Sequence, residues 1–279
     1  PSFQGSNPCS PATYIPDRMS GIFLVYGKVV GIGQGDRLMK YSFDSRVRYS
    51  EIGEDKKLTL NSIINYFQDC STFHSEAAGV GMDFLADKHQ VWVLSAWQIV
   101  VERYPMLCEK IKVSTWPYEF RHFMGKRNFT MEDEEGNRIA YANTLWTYLD
   151  LRTGHPVLVD EKQVQAYELE EKLDMNYAPR KISVAGEFQE FPSFQVKAHH
   201  LDTNHHVNNG QYILMAMEYL PLGFTVRQMR AEYKNQAVLD SVIVPKVHEE
   251  NGIYTVTLDS PSGVPFAVVE LIGNFEKAE

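Results

Sequence analysis

One order of patterns occurs twice in this chain, and that repetition constrains the fold more than any single motif. From Lys40 onward an alternating segment, "YSFDSRVRYSE", reads as a strand. "TLNSIINYFQDCSTFHSEA" follows, with Leu60, Ile63, Ile64, Phe67 and Cys70 at helical spacing and Thr59 or Asn61 as its cap. Four strand-like runs come next: "VWVLSAWQIVVERY", "EKIKVSTWPYEF", "GKRNFTMED" and "RIAYANTLWTYLDL". "EEGN" joins the last two as a hairpin turn. The order then returns. "SFQVKAHH" predicts a strand, and "NNGQYILMAMEYL" a helix whose apolar face is Tyr212, Ile213, Met215, Ala216 and Leu220. "FTVRQMRAEYKNQ", "DSVIVPKVHEE", "IYTVTLDS" and "VPFAVVELIGNFE" predict four more strands, two of them separated by an Asn251-Gly252 hairpin turn. A single helix before a run of antiparallel strands implies an α+β fold, with the sheet wrapped around the helix, built twice.

Two like halves in one chain suggest a fused symmetric dimer, so the halves are expected to pack sheet to sheet with any site at their interface. Residues 39–160 form the N-terminal unit and 187–279 the C-terminal one. Residues 161–186 read as a polar linker, helical from Glu161 to Glu171. The first 38 residues are rich in Pro, Ser and Gly and read as a disordered or vector-derived leader, with Met19 and Met39 both plausible native starts. "GIGQG" at Gly31–Gly35 resembles a nucleotide loop, but no βα unit follows it.

Charge and cysteine usage exclude several function classes. With 27 basic and 36 acidic residues the net charge is -9, which speaks against a nucleic-acid-binding surface over the whole molecule. Cys9, Cys70 and Cys108 include no CxxC, so neither a disulfide framework nor a cysteine zinc site is expected, and a reducing compartment fits. No apolar run reaches the length of a membrane span; "GIFLVYGKVVGIG" is broken by Lys28 and by glycines.

The chemistry-bearing stretch is "HHLDTNHHVNNGQY", His199 to Tyr212. A metal site fits poorly, because His199 and His200, like His205 and His206, are adjacent and point apart in a strand, and the spacing matches no zinc pattern. Asp202, Asn204 and His206 alternate by two just before a helix that Asn208 or Asn209 caps. A base, an amide and a carboxylate beside the positive end of a helix are suited to stabilising an oxyanion during hydrolysis. The plainer reading is a polar loop capping a buried helix. The matching connection in the first half, "SEIGEDKKLTLN", does that task without a histidine, which points to one specialised site in the second half.

"LDTNHHVNNGQY", together with "AEYKNQAVLDSV" and "LDLRTGHPV", resembles the acyl-acyl-carrier-protein thioesterases in their bacterial form, over roughly residues 40 to 277. That family carries Asp-x-Asn-x-His-Val-Asn-Asn at the start of its second helix, here Asp202, Asn204, His206, Val207, Asn208 and Asn209. The resemblance implies a tandem double hotdog and the hydrolysis of a fatty acyl thioester on acyl carrier protein, with no cofactor and no metal. His206 would be the general base for water, Asn204 would position the water or the thioester oxygen, and Asp202 would orient one of these or hold the histidine's tautomer. An alternative makes Asp202 a nucleophile. Backbone N–H groups near Asn208 to Gly210 would meet the oxyanion.

In plant members of the family the segment matching "EYKNQAVLDSV" has a glutamate and then a cysteine; here Gln236 and Ala237 stand there, so Gln236 is left to orient by hydrogen bonding. Glu232 could supply a carboxylate or form a core-edge ion pair. Phe67, Met82, Phe84 and Trp92 are the candidates for an acyl tunnel in the first half. Arg227, Arg230 and Lys234, or Arg121, Lys126 and Arg127, are candidate patches for an acidic carrier protein. The resemblance also implies a cytoplasmic, bacterial location without membrane insertion, and leaves a homodimer open. Three rivals stand beside it: a dehydratase of the same fold, an acyl-CoA thioesterase, and an inactive acyl-chain-binding protein.

Overall fold

The computed structural model describes residues 40–275. The leader expected over residues 1–38, both methionine starts and the "GIGQG" loop lie outside the described residues. β1 (Tyr41–Arg46) passes through a single 3-10 turn at Tyr49–Glu51 into α1 (Leu60–Ala77). Of the two cap candidates Thr59 is used: its side chain accepts the Ser62 N–H. Ile63, Ile64, Phe67 and Cys70 are fully buried on one face of α1, which is the apolar spacing of the sequence realised as a helix face. A short helix, α2 (Met82–Lys88), intervenes before β2 (Gln90–Val101), β3 (Lys110–Arg121), β4 (Met124–Glu132) and β5 (Arg138–Asp150).

The linker contains α3 (Glu161–Ala166), which ends well short of Glu171. The backbone turns extended at Tyr167, whose ring is buried and whose hydroxyl bonds Ser75 Oγ at 2.8 Å. Burying that ring takes precedence over continuing a polar helix. The second half comprises β6 (Gln189–Glu190), β7 (Phe194–Gln195), a 3-10 turn at Ala198–His200, and α4 (Asn209–Met217). Then come β8 (Phe224–Tyr233), β9 (Val242–Glu250), β10 (Ile253–Asp259) and β11 (Pro265–Phe275). "SFQVKAHH" is thus a strand only at Phe194–Gln195. Its end is diverted because the Lys197 N–H is taken by His200 Nδ1 at 3.0 Å, a local bond that competes with the ladder. α4 stops before Leu220, which directly precedes Pro221 and is steered away from helical geometry by it.

The strands form one sheet in the order β1-β3-β4-β5-β2-β8-β11-β10-β9-β6, with β7 also pairing β9. Outward from the centre, β2-β5-β4-β3-β1 is matched by β8-β11-β10-β9-β7, so the halves repeat each other through five strands, and β6 is an extra strand of the second half. The halves do meet sheet to sheet, but edge to edge: β2 and β8 pair antiparallel, so neither leaves its edge open along that stretch. A Cβ on Gly210 of α4 would lie 3.2 Å from Asn61 Oδ1 of α1, so the two helices pass closely there. Ile63, Phe67, Trp97 and Ile99 from the first half share one apolar core with Ile213, Met229, Val256 and Leu271 from the second.

Candidate active site

The site is an opening in the seam between the halves. β2 pairs with β8 only over Ala96–Val100. Its ladder with β5 shifts between Leu94 and Ala96, a bulge at Ser95, and the stretch Gln90–Leu94 runs on beside β5 without β8. The Asp202–Asn209 loop and the end of β8 border the space left, a cleft of about 630 Å³. Trp92, Leu94, Ser95 and Thr147 line it from the first half; Asp202, Asn204, His206, Asn209 and Gln236 line it from the second. The other end of the seam is closed: Tyr104 donates its hydroxyl to Val226 O at 2.8 Å, and Arg227 Nη1 donates to Glu102 O at 2.9 Å.

The loop is built around Asp202. Its Oδ1 accepts the N–H of Asn204 at 2.8 Å and of His206 at 3.2 Å, so the carboxylate meets the His206 backbone rather than its ring. The Asp202 N–H donates to His206 O, and His205 takes the left-handed conformation that closes the turn. Val207 N–H donates to Ala237 O, and Ala237 N–H to the Tyr212 hydroxyl, both at 2.9 Å, which fixes Gln236 beside the loop. Burial pushes the Tyr212 phenol up to about 12, so that hydroxyl stays protonated. Tyr233 donates to Asn209 O at 2.9 Å, and desolvation of its phenol holds it well above its ordinary value.

At the start of α4, Asn208 N–H donates to His200 O and Gly210 N–H to Asn208 Oδ1. Of the three N–H groups expected to face an oxyanion, only that of Asn209 is without an acceptor among the described residues. His206 is half-buried and Asn204 exposed, and both border the cleft.

The same backbone recurs in the first half. Gly53 N–H donates to Lys57 O as Asp202 N–H does to His206 O; Lys56 is left-handed as His205 is; and Leu58 N–H donates to Pro105 O as Val207 N–H does to Ala237 O. Gly53, Asp55 and Lys57 therefore stand where Asp202, Asn204 and His206 stand, and Tyr104 stands where Gln236 does. One loop geometry is made twice, and only the copy at the open end of the seam carries the Asp, Asn and His.

The remaining residues singled out from the sequence fall elsewhere. Asn208 is the helix cap. Phe67 is core, packed on Trp97 and Phe129. Met82 is exposed on α2, and the Phe84 ring is in contact with the ammonium groups of Lys88 and Lys162, at 4.8 and 4.6 Å from its centroid. Of the four tunnel candidates Trp92 alone lines the cleft. It also lines a second, smaller cavity of about 70 Å³ with Phe120, Gly125, Trp146 and Tyr167. Glu232 makes the ion pair, with Lys234 Nζ at 3.2 Å, and does not line the cleft.

Arg230 is committed to Glu270 at 2.8 Å and to the carbonyls of Pro179 and Lys181. Lys126 pairs with Glu119, and Arg127 is buried against His74 and the Tyr167 ring, its guanidinium pushed down by desolvation. Sequence reasoning missed Arg180, Tyr233 and the hydrogen-bonded pair Ser95 and Thr147 as cleft residues. No periodicity reveals them, because the bulge that exposes Ser95 and the course of the linker that places Arg180 are tertiary features. Among the described residues no three His, Cys, Asp or Glu side chains form a metal-ligand group, and no helix is long and apolar enough to cross a membrane.

The acyl-ACP thioesterase N-terminal domain family matches residues 39–167, and the corresponding C-terminal domain family matches residues 185–260. A chloroplastic palmitoyl-acyl carrier protein thioesterase of Arabidopsis thaliana is 24% identical over 214 residues, covering 71% of this chain. The chain spans about half the length of that relative, 52%. The fold resembles the crystal structure of an acyl-ACP thioesterase from Bacteroides thetaiotaomicron, with a TM-score of 0.78 at 22% identity over 84% of this chain and 98% of the other. It also resembles a 12:0-ACP thioesterase from Umbellularia californica, with a TM-score of 0.74 at 19% identity over 85% and 98%. Both of these solved structures share the tandem double-hotdog architecture, and with its two family domains matched in order the chain belongs to the acyl-ACP thioesterase family.

Proposed function

We propose that this chain hydrolyses fatty acyl thioesters carried on acyl carrier protein and releases the free fatty acid. The twinned loop carries the reading: the same turn is made in the first half with Asp55 and Lys57 at the places of Asn204 and His206, so the turn requires neither of those side chains, and both face an open cleft beside Asp202. His206 takes a proton from water as the water oxygen adds to the thioester carbon. The Asn209 N–H, at the positive end of α4, stabilises the oxyanion. The tetrahedral adduct collapses with loss of the thiolate, which recovers the proton from His206. Asn204 positions the water or the thioester oxygen, Gln236 assists from the facing strand end, and Asp202 holds the turn that presents both. Each step uses only this chain's groups and water.

The acyl chain runs from the cleft past Trp92 toward the aromatic cavity behind it, since Trp92 borders both. A reducing cytoplasm suits the free thiols Cys70 and Cys108. The β2–β8 seam lies within one chain, so the reaction requires no second copy; sedimentation tells a monomer from a homodimer.

Release of free thiol from acyl-ACP and acyl-CoA of several chain lengths tests the proposal. His206→Ala and Asn204→Ala are each expected to lower kcat by at least about a hundredfold. Faster turnover of acyl-CoA than of acyl-ACP would favour the acyl-CoA thioesterase reading. Tight binding of acyl-ACP with no turnover would leave an acyl-chain-binding protein. Solvent oxygen-18 in Asp202 after a single turnover would replace the activated water by an anhydride.

A further inference from the structure

A third cavity, of about 290 Å³, lies under the linker on the same face of the sheet as the mouth of the cleft. On β5, Asn143 and Leu145 line this groove, while Thr147 and Leu149 line the cleft. Alternate strand residues share a face, so the two spaces follow one another along about 20 Å of strand. Gln98 holds the linker over the groove, donating to Asn176 O at 2.8 Å and accepting the Ala178 N–H at 2.9 Å.

The groove is lined by Lys126, Lys172, Arg180 and Arg230, and no Asp or Glu is among its lining residues. This is notable in a chain of net charge -9. Lys126 and Arg230 are neutralised by Glu119 and Glu270. Lys172 rests on the Tyr177 ring at 3.5 Å, a contact that leaves its charge uncompensated by an anion. Arg180 is exposed, makes no hydrogen bond or ion pair among the described residues, and lines both the groove and the cleft.

We infer that Arg180 and Lys172 form an anion subsite for the phosphate of the substrate's phosphopantetheine arm, with the arm lying in the groove and its thioester reaching the cleft past Arg180. The inference rests on the proposed thioester hydrolysis. An extended arm of two amides and a pantoate is comparable to the strand length available, and a phosphate is well matched to an unpaired guanidinium.

The test compares three substrates bearing one acyl group: acyl-pantetheine, acyl-4′-phosphopantetheine and acyl-ACP. In the wild type the phosphate is expected to raise kcat/KM by about tenfold over acyl-pantetheine, the size of one charge-assisted contact. Arg180→Glu and Lys172→Glu are expected to abolish that ratio. An unchanged ratio in both variants would overturn the subsite. So would a loss seen with acyl-ACP but not with acyl-4′-phosphopantetheine, because the cations would then meet the carrier's own acidic surface. Calorimetry with 4′-phosphopantetheine against pantetheine reads the subsite without turnover. A wild-type preference for the phosphorylated arm that Arg180→Glu removes supports it even if no substrate is hydrolysed; equal binding of the two arms overturns it even if hydrolysis is observed.

Discussion

Asp202 illustrates how a residue lining the candidate site can be structural first. Its Oδ1 holds two backbone N–H groups, a task an asparagine oxygen can also perform. Asp202→Asn is therefore expected to keep Tm within about one degree and at least about a tenth of kcat. Asp202→Ala frees both N–H groups and is expected to cost about 1 kcal/mol, or roughly 2–4 °C in Tm, with a deeper loss of kcat. Thermal melts and single-turnover rates on the pair separate the turn from the charge. A second residue-scale expectation concerns Cys70. Its thiol is buried and pushed up to about 12, by burial first. At pH 8 it stays a thiol, and its thiolate population grows only as pH approaches that value, so it should resist alkylation in the native protein. Exposed Cys108 should react readily, and peptide mapping after labelling reads both.

Among the elements, those carried by strong periodicity were legible in advance: α1 from its apolar spacing, β8 to β11 from alternation and turns, and the duplication from the order of both. The elements that escaped carry no periodic pattern of their own. α2 has no buried residue to mark a face, β7 is cut short by the His200 bond, and the bulge in β2 leaves no residue signature. Asp202, Asn204 and His206 could be named as cleft residues in advance because three chemically distinctive side chains share one short loop; Arg180 could not, because only the path of the linker brings it there.

β4 offers an element-scale test. A Cβ at Gly125 would lie 3.1–3.2 Å from Phe120 and Trp92, the two rings that wall the aromatic cavity. Gly125→Ala is expected to cost about 1–3 kcal/mol through overpacking. It is also expected to lower the ratio of kcat/KM for long over short acyl chains, which a chain-length series measures. An unchanged ratio would mean that the acyl chain does not pass Trp92.

Across the whole molecule the two halves share one sheet and one core, so they are expected to unfold together. All four tryptophans, at 92, 97, 116 and 146, lie in the first half, whereas circular dichroism samples both. Coincident urea midpoints from fluorescence and circular dichroism are the expected result, and separated midpoints would show that the halves melt independently. Fusion has a further consequence. A pair of identical units related by a twofold axis would open both ends of the seam, but here Tyr104 occupies the place of Gln236 and stitches one end shut. Titration with a tight-binding thioester analogue should therefore reach equivalence at one ligand per polypeptide, not two. If the proposed centre binds singly, its binding curve should be a simple hyperbola, with no cooperativity between like sites.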